Sequence, residues 1–374
     1  MRGALRALHR FWFAPETPVT PPLMRIVLGA YVLFGMLPRD LRAVRQAWTR
    51  PTELVVPPAT LDALPIPFPL PPELGPTFAA VMTALGVMVT VGLLTRPALL
   101  AYAIGYIYIG AVASSWGHYP HHKVLPVQMF MILAFAPGAT AWSVDRLLML
   151  RLRRRKGAPP SLPAALTGPP VPRWGTQLIL VVIASIMFAA GLAKLRHTGV
   201  RWADGETLRF YFRGGTAVLP STARTDSLPP QSRRPYFVGT IVGPANVAPE
   251  VAWRDGFGLE AYTYMVSIDA LGRVVRKWPW TATAISVSTL LVELTMPLLL
   301  LTPWLRSLYM TAAIGLMVGI NFLLGISFAP WIVVFLCALD WEWLVDRVPV
   351  ALRQLKAGRL WPPGRLLQRE GAPG

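Results

Sequence analysis

Apolar residues run along this chain in blocks too long and too unbroken for the surface helices of a soluble domain. Eight such runs stand out, at residues 22–37, 76–95, 97–115, 121–138, 174–195, 280–302, 305–325 and 328–345. Runs of this length that lack charged residues predict helices crossing a bilayer, where each backbone N–H must be bonded within its own segment. Several are shorter than the ~20 residues of a full span, so flanking Trp and Arg are expected to extend them into the interface. The chain is therefore expected to be an all-α polytopic membrane protein, a bundle of about eight transmembrane helices. An irregular outer cap is expected from residues 38–75 and 198–279.

Polar positions set the orientation. Arg146, Arg151, Arg153, Arg154, Arg155 and Lys156 precede a Pro-rich stretch from Pro159 to Pro172, and so basic a connection is expected on the cytoplasmic side. Counting outward from it puts both termini inside, and both are basic. The tail 347–374 is then a cytoplasmic extension of a transmembrane domain covering 1–346, and 198–279 is its outer insertion. The connection at 38–75 also falls outside although it carries Arg39, Arg42, Arg45 and Arg50; Arg39 to Arg50 is read as an amphipathic helix on the outer surface. Met1 to Phe13 has basic residues but neither a long apolar core nor a cleavage site, and reads as a short interfacial amphipathic helix.

Composition agrees with this pattern. Residues of hydrophobic type make up 54% of the chain and charged residues 14%, with a mean hydropathy of +0.47. The formal net charge of +18 sits between apolar runs, which points to the cytoplasmic face of a membrane protein and not to nucleic acid. The single cysteine, Cys337, excludes an internal disulfide, a CxxC redox centre and a cysteine metal cluster.

Ionisable residues inside apolar runs need an explanation, because each is costly there unless paired or hydrated. Lys194 ends the fifth run, with Ala190 and Gly191 beside it at i−4 and i−3. Those small side chains leave room for a ligand ring or for a neighbouring helix, and Lys194 itself either snorkels to the interface or serves a site. Glu293 lies within the sixth run and shares a face with Ser286 and Thr289, so the stripe should point into the bundle. It is either a hydrogen-bonded packing residue or a functional group, and Asn321 in the seventh run poses the same choice. His118, His121 and His122 cluster where the fourth run starts. Pro120 opposes a regular helix through them, so no metal is expected and hydrogen bonding to a polar ligand head is the favoured reading. The pattern W-x-D-G-x-x-L-x-x-Y occurs twice, at Trp202 and at Trp253, and reads as a duplicated turn or a duplicated site.

Taken in order, these motifs resemble the vitamin K-dependent γ-carboxylase-like membrane domain, also called the HTTM domain. The resemblance rests on Ala190-Gly191-Leu192-Ala193-Lys194-Leu195 followed by Trp202-Ala203-Asp204-Gly205. Arg25 with Gly29, Gly92-Leu93-Leu94-Thr95-Arg96, Ser115-Trp116, Trp142-Ser143-Val144-Asp145, Glu293 and Asn321 complete the set. It implies a bacterial-type, inner-membrane member without the large lumenal region of the animal enzyme. It further implies that Lys194 is the base that deprotonates vitamin K hydroquinone or a related quinol, with His122 hydrogen-bonding the reacting oxygen. Ligand contacts would come from Gly191, Trp202, Glu293, Asn321 and Trp116. Oxygen, carbon dioxide and membrane lipid are the implied partners. The pattern departs at Val318, where the family carries a histidine. Two other classes stay open: a non-catalytic lipid- or quinone-binding or transport protein on the same fold, and an assembly factor acting through the outer loop.

Overall fold

The computed structural model describes residues 2–47, 68–115, 121–153, 166–205, 236–238, 261–263, 277–278, 280–324 and 328–345. Its helices are α1 (Arg2–Phe13), α2 (Thr20–Tyr31), α3 (Leu37–Ala47), α4 (Gly75–Val91), α5 (Thr95–Ser114), α6 (His121–Phe135), α7 (Val144–Arg153), α8 (Trp174–Thr198), α9 (Trp280–Thr295), α10 (Pro303–Leu324) and α11 (Ala329–Ala338). Four short strands pair antiparallel in twos, β1 (Pro15–Glu16) with β2 (Val171–Pro172) and β3 (Tyr236–Val238) with β4 (Ala261–Thr263). Among the described residues every apolar run contains a helix, and six of the helices are long and apolar enough to cross a membrane: Thr20–Arg42, Pro72–Val91, Thr95–Ser114, Trp174–Arg196, Trp280–Leu300 and Pro303–Phe322. The fourth and eighth runs form the shorter helices Lys123–Phe135 and Ala329–Ala338. The fourth is cut off by the turn at Pro137 and Gly138, whose φ is +84°. The eighth stops where Arg306 binds the carbonyls of Ala338 and Leu339.

Side chains are distributed as a bilayer requires. Phe34, Ile104, Leu291 and Leu301 face outward, more than half exposed, while Arg25, Asp40, Lys123 and Glu293 are buried. Charge inside and hydrocarbon outside reverses the usual pattern of a soluble protein. The protein is an integral membrane protein. The core packs α2, α4, α5 and α6 around Met24, Leu28, Leu99, Tyr102 and Phe130, and continues to Phe335 of α11.

One end of the bundle is tied by Arg25, whose side chain is fully buried. Its Nε donates to the Ala139 carbonyl (3.0 Å), Nη1 to those of Val89 (2.8 Å) and Thr90 (3.0 Å), and Nη2 to those of Ala141 (3.3 Å) and Trp142 (2.8 Å). The last carbonyls of α4 and the turn after α6 have no helical partners of their own at these positions, and a planar cation with a fork of donors satisfies them together. Gly92 ends α4 with a φ of +73°. A Cβ there would lie 2.5 Å from Arg25 Nη1 and 2.4 Å from the Ser143 Cβ. Asp145 then caps α5 from a distant segment, accepting from the backbone N–H of Leu94 (2.9 Å) and Thr95 (2.7 Å) and from the Thr95 hydroxyl (2.7 Å). A carboxylate on these free N–H groups, at the positive end of the helix dipole, is a favourable cap. The conspicuous Arg25, Gly92–Thr95 and Trp142–Asp145 motifs thus form one structural tie. Glu16 with Thr176, and Arg306 with Thr20 and Asp340, lie at this same end.

The helix expected from Arg39 to Arg50 is described as far as Ala47, as α3, reached from α2 through a π-helical turn at Val32–Met36; Asp40 and Val44 on it are buried, and residues 48–50 lie outside the described residues. The short amphipathic helix expected at the N-terminus is α1. Most of the outer cap lies outside the described residues, including the second W-x-D-G copy at Trp253, and so does the tail 347–374.

Candidate functional site

Lys194 lies about 27 Å along α8 from Thr176 at ~1.5 Å per residue, towards the end of the bundle away from the Arg25 tie. α8 runs without interruption from Trp174 to Thr198 because its sequence holds neither Pro nor any charged residue before Lys194. It packs against α9 through Gly191. A Cβ at that glycine would fall 2.9 Å from the Glu293 Cβ and 3.1 Å from Leu294 side-chain atoms. The space that the sequence left open beside Gly191 is therefore taken by the neighbouring helix, and this close approach brings Glu293 within reach of the lysine almost one turn on.

Lys194 Nζ donates to both carboxylate oxygens of Glu293, at 2.6 and 2.7 Å. The glutamate side chain is 6% exposed and the lysine 24%. Glu293 thus faces the bundle, as its stripe implied: Ser286 is buried and Thr289 half-buried, while Leu291 points out. The Thr289 hydroxyl donates back to the Ile285 carbonyl (2.8 Å), whereas the buried Ser286 Oγ has no partner among the described residues.

Trp202 completes the cluster. α8 ends at Gly199, with φ +61°, and the chain folds back as a 3-10 turn, Gly199–Asp204. The turn is pinned to α9: the Thr283 hydroxyl donates to the Asp204 carbonyl at 2.7 Å. Gly205, φ +80°, sits so close that a Cβ would lie 2.5 Å from the Thr283 nitrogen and 2.7 Å from the Ala282 carbonyl carbon. That is the physical content of the first W-x-D-G motif, in which a carbonyl docks, a glycine permits the approach, and the tryptophan is carried back over the lysine. Lys194 Nζ stands 5.6 Å from the centre of the Trp202 ring, within cation–π range. The indole Nε1 is buried and has no hydrogen-bond partner among the described residues.

Gly191, Lys194 and Trp202, from one stretch of chain, are therefore brought together with Glu293, 99 residues beyond Lys194. Asn321 lies half-buried on α10, the neighbour of α9. His122 stands in the first turn of α6 with its side chain outside the described residues, and Trp116 and His118 lie outside them altogether.

A second buried pair escaped the sequence reading. Lys123 of α6 bonds Asp40 of α3 at 2.6 Å, with side chains 8% and 9% exposed. The signal for it was present: Asp40 is the sole acid of an otherwise basic α3, and Lys123 the sole charge of the fourth run.

A family model for the HTTM domain matches residues 13–219, just over half of the chain. The match takes in Arg25, Gly92, Asp145, Lys194 and Trp202 and ends before Glu293. No curated protein and no solved structure matches the chain.

Proposed function

The chain belongs to the HTTM-domain family, and from that premise we propose that it binds a quinol-like lipid beside Lys194 and uses Lys194 as the base that deprotonates it. The observation that carries this reading is the cluster itself. A lysine and a glutamate share a proton at hydrogen-bond distance within the bundle, and beside them Trp202 holds a buried N–H that nothing among the described residues accepts. An unpaired buried donor is costly, and a ligand oxygen would satisfy it. A reduced quinone there would supply an acidic hydroxyl and a ring able to react with oxygen, with carbon dioxide capture as the coupled step that the family resemblance implies.

The chain's own part is proton handling. Moving the shared proton from the Lys194 ammonium to the Glu293 carboxylate leaves the pair neutral overall and exposes the amine lone pair without changing the net charge in the apolar bundle. The amine then takes the proton from the ligand hydroxyl: the O–H bond breaks, an N–H bond forms, and the resulting ammonium faces the ligand oxyanion. Trp202 would hold that oxygen through Nε1.

A second reading is a non-catalytic quinone- or lipid-binding protein on the same fold. It is favoured by the hold of both Glu293 oxygens on Lys194, which resembles a finished structural pair. Oxygen-dependent epoxidation of vitamin K hydroquinone by the nanodisc-reconstituted protein separates the two. Lys194→Ala should lose about a hundredfold or more of the rate, in the range for removal of a general base, and keep quinone-dependent quenching of tryptophan fluorescence. A fully active Lys194→Arg, or no turnover by the wild type with any quinol, decides for the binding protein. We further propose that both termini and residues 146–173 are cytoplasmic, on the strength of three basic segments. Labelling of a cysteine at Ser161 by an impermeant reagent in intact spheroplasts, in a Cys337→Ser background, would overturn that orientation.

A further inference from the structure

Residues 3–10 of α1 are exposed; Phe11 and Trp12 are half-buried, and the helix packs on α8. The exposed part has two different sides. Leu5 and Leu8, 62% and 55% exposed, lie on one of them. Arg6 and Arg10, one turn apart, lie on the other. Bare leucines opposite arginines on one short helix are the make-up of a helix that rests in a membrane interface.

The contacts of α1 hold it at the edge of the bilayer. Two of the long apolar helices start beside it, at Thr20 and at Trp174. The Ala14 carbonyl, just after α1, accepts from the backbone N–H of Arg173 (3.1 Å), β1 pairs with β2, and the Thr176 hydroxyl donates to Glu16. The end of α1 is thereby fastened beside the point at which α8 enters hydrocarbon. α7 begins at the same end of the bundle, where its Asp145 caps α5, and it exposes Leu148 and Leu152 together with Arg151. Hydrocarbon and arginine thus meet twice along this boundary.

Charge selects the kind of lipid. α1 carries Arg2, Arg6 and Arg10 and no acid. The next acid along the chain, Glu16, is engaged by Thr176. A helix of this charge is drawn to the negative surface potential of anionic phospholipid, which a zwitterionic leaflet does not supply. Arginine stems are also long enough to reach the phosphates while the opposite side of the helix sits in acyl chains.

We propose that α1 lies flat on the leaflet at the Arg25-tied end of the bundle and binds anionic phospholipid there, with Leu5 and Leu8 among the upper acyl chains and Arg6 and Arg10 on the lipid phosphates.

A nitrobenzoxadiazole label on Leu5→Cys or on Gly3→Cys, each in the full chain with Cys337→Ser, tests this in nanodiscs. Gly3 is on the arginine side, and a Cβ there meets nothing within 4 Å. With phosphatidylglycerol mixed into phosphatidylcholine, a nitroxide high on the acyl chain should quench the Leu5→Cys label and leave the Gly3→Cys label largely unquenched. In phosphatidylcholine alone the Leu5→Cys quenching should fall. Each arginine near an anionic surface is worth about fivefold in binding. Arg6→Gln with Arg10→Gln should therefore lower the ratio of seated to unseated helix about 25-fold and bring quenching in the mixture down to the phosphatidylcholine level. Arg6→Lys with Arg10→Lys keeps the charge and should keep most of the quenching. Both double variants alter exposed positions, so the unfolding temperature should not move. Equal quenching of the Leu5→Cys label in the two lipids, indifferent to the glutamine variant, would overturn the proposal. So would a Leu5→Cys label that no lipid nitroxide quenches, which would give this face to a protein surface instead.

Discussion

Replacing Arg25 with leucine should destabilise this protein more than any substitution at the Lys194 cluster. The guanidinium makes five hydrogen bonds to backbone carbonyls of two separate segments, four of them at 3.0 Å or less. A hydrogen bond to a charged group is worth about 1.5–3 kcal/mol. Simple addition over five overstates the loss, because removing the arginine also removes the desolvation of a fully buried cation. Loss of one partner from a buried charged network costs about 3–5 kcal/mol, and about 4 kcal/mol is a reasonable expectation here. For a chain of 374 residues, at about 2.1 cal/mol/K per residue, that corresponds to a fall in apparent Tm of roughly 5 °C. Cys337 provides the assay. It is the single thiol and is 2% exposed, so a fluorogenic maleimide reports its release on heating in detergent. Arg25→Lys keeps the charge but not the fork of donors, and should recover less than half of the loss. A shift under about 2 °C for Arg25→Leu would refute the view that this side chain ties the end of α4 to the turn after α6.

Three other outcomes follow from single contacts. Glu293→Leu leaves Lys194 without its buried partner and should lower the apparent Tm by several degrees, whereas Leu291→Ala on the outward face should change it little; equal effects would contradict the burial of Glu293. Gly205→Ala forces a side chain into the α9 backbone at positive φ, at about 2–4 kcal/mol of strain and overlap, and should shift Trp202 emission as the 3-10 turn moves; unchanged emission and stability would contradict that docking. Burial raises the Glu16 carboxyl above its ordinary value of 4.5, against the opposing pull of the Thr176 hydrogen bond and of Arg173 and Arg306. The protonated form is thus favoured in the fold, so its stabilising effect is complete below about pH 4.5 and is lost as pH rises through the shifted value. Glu16→Gln should match the wild type in acid and exceed it in apparent Tm near neutrality; an advantage that grows towards low pH would reverse the sign and refute the reasoning.

The inward face of Glu293 was legible because Ser286, Thr289 and Glu293 recur at helical spacing, and period alone assigns a face. Its partner was not, because the Lys194–Glu293 bond joins helices 99 residues apart and no local pattern encodes such a pairing. Snorkelling was a fair reading of Lys194 in isolation; the acid across the Gly191 contact removes the need for it. The count of about eight full spans is not confirmed at runs four and eight, where apolar composition continues past the points at which the Gly138 turn and Arg306 end the described helices. Arg25 carried a resemblance but no visible role, since its acceptors are backbone carbonyls, which every sequence supplies equally. Asp40 was hidden by its setting: among Arg39, Arg42 and Arg45 it reads as part of a solvated face. Only the π-helical turn before α3 and the fold of α6 reveal that this one acid points the other way.

The central claim is that Lys194, Glu293 and Trp202 form a ligand site and not a structural pair alone. Its most direct test is an electron cryomicroscopy structure of the nanodisc-embedded protein with vitamin K quinone. The map should show the quinone at the indole edge of Trp202, with one oxygen accepting from Nε1 and lying within hydrogen-bond distance of Lys194 Nζ. A map in which the quinone lies elsewhere, while Glu293 still holds Lys194 by both oxygens and Trp202 closes over them, would contradict it.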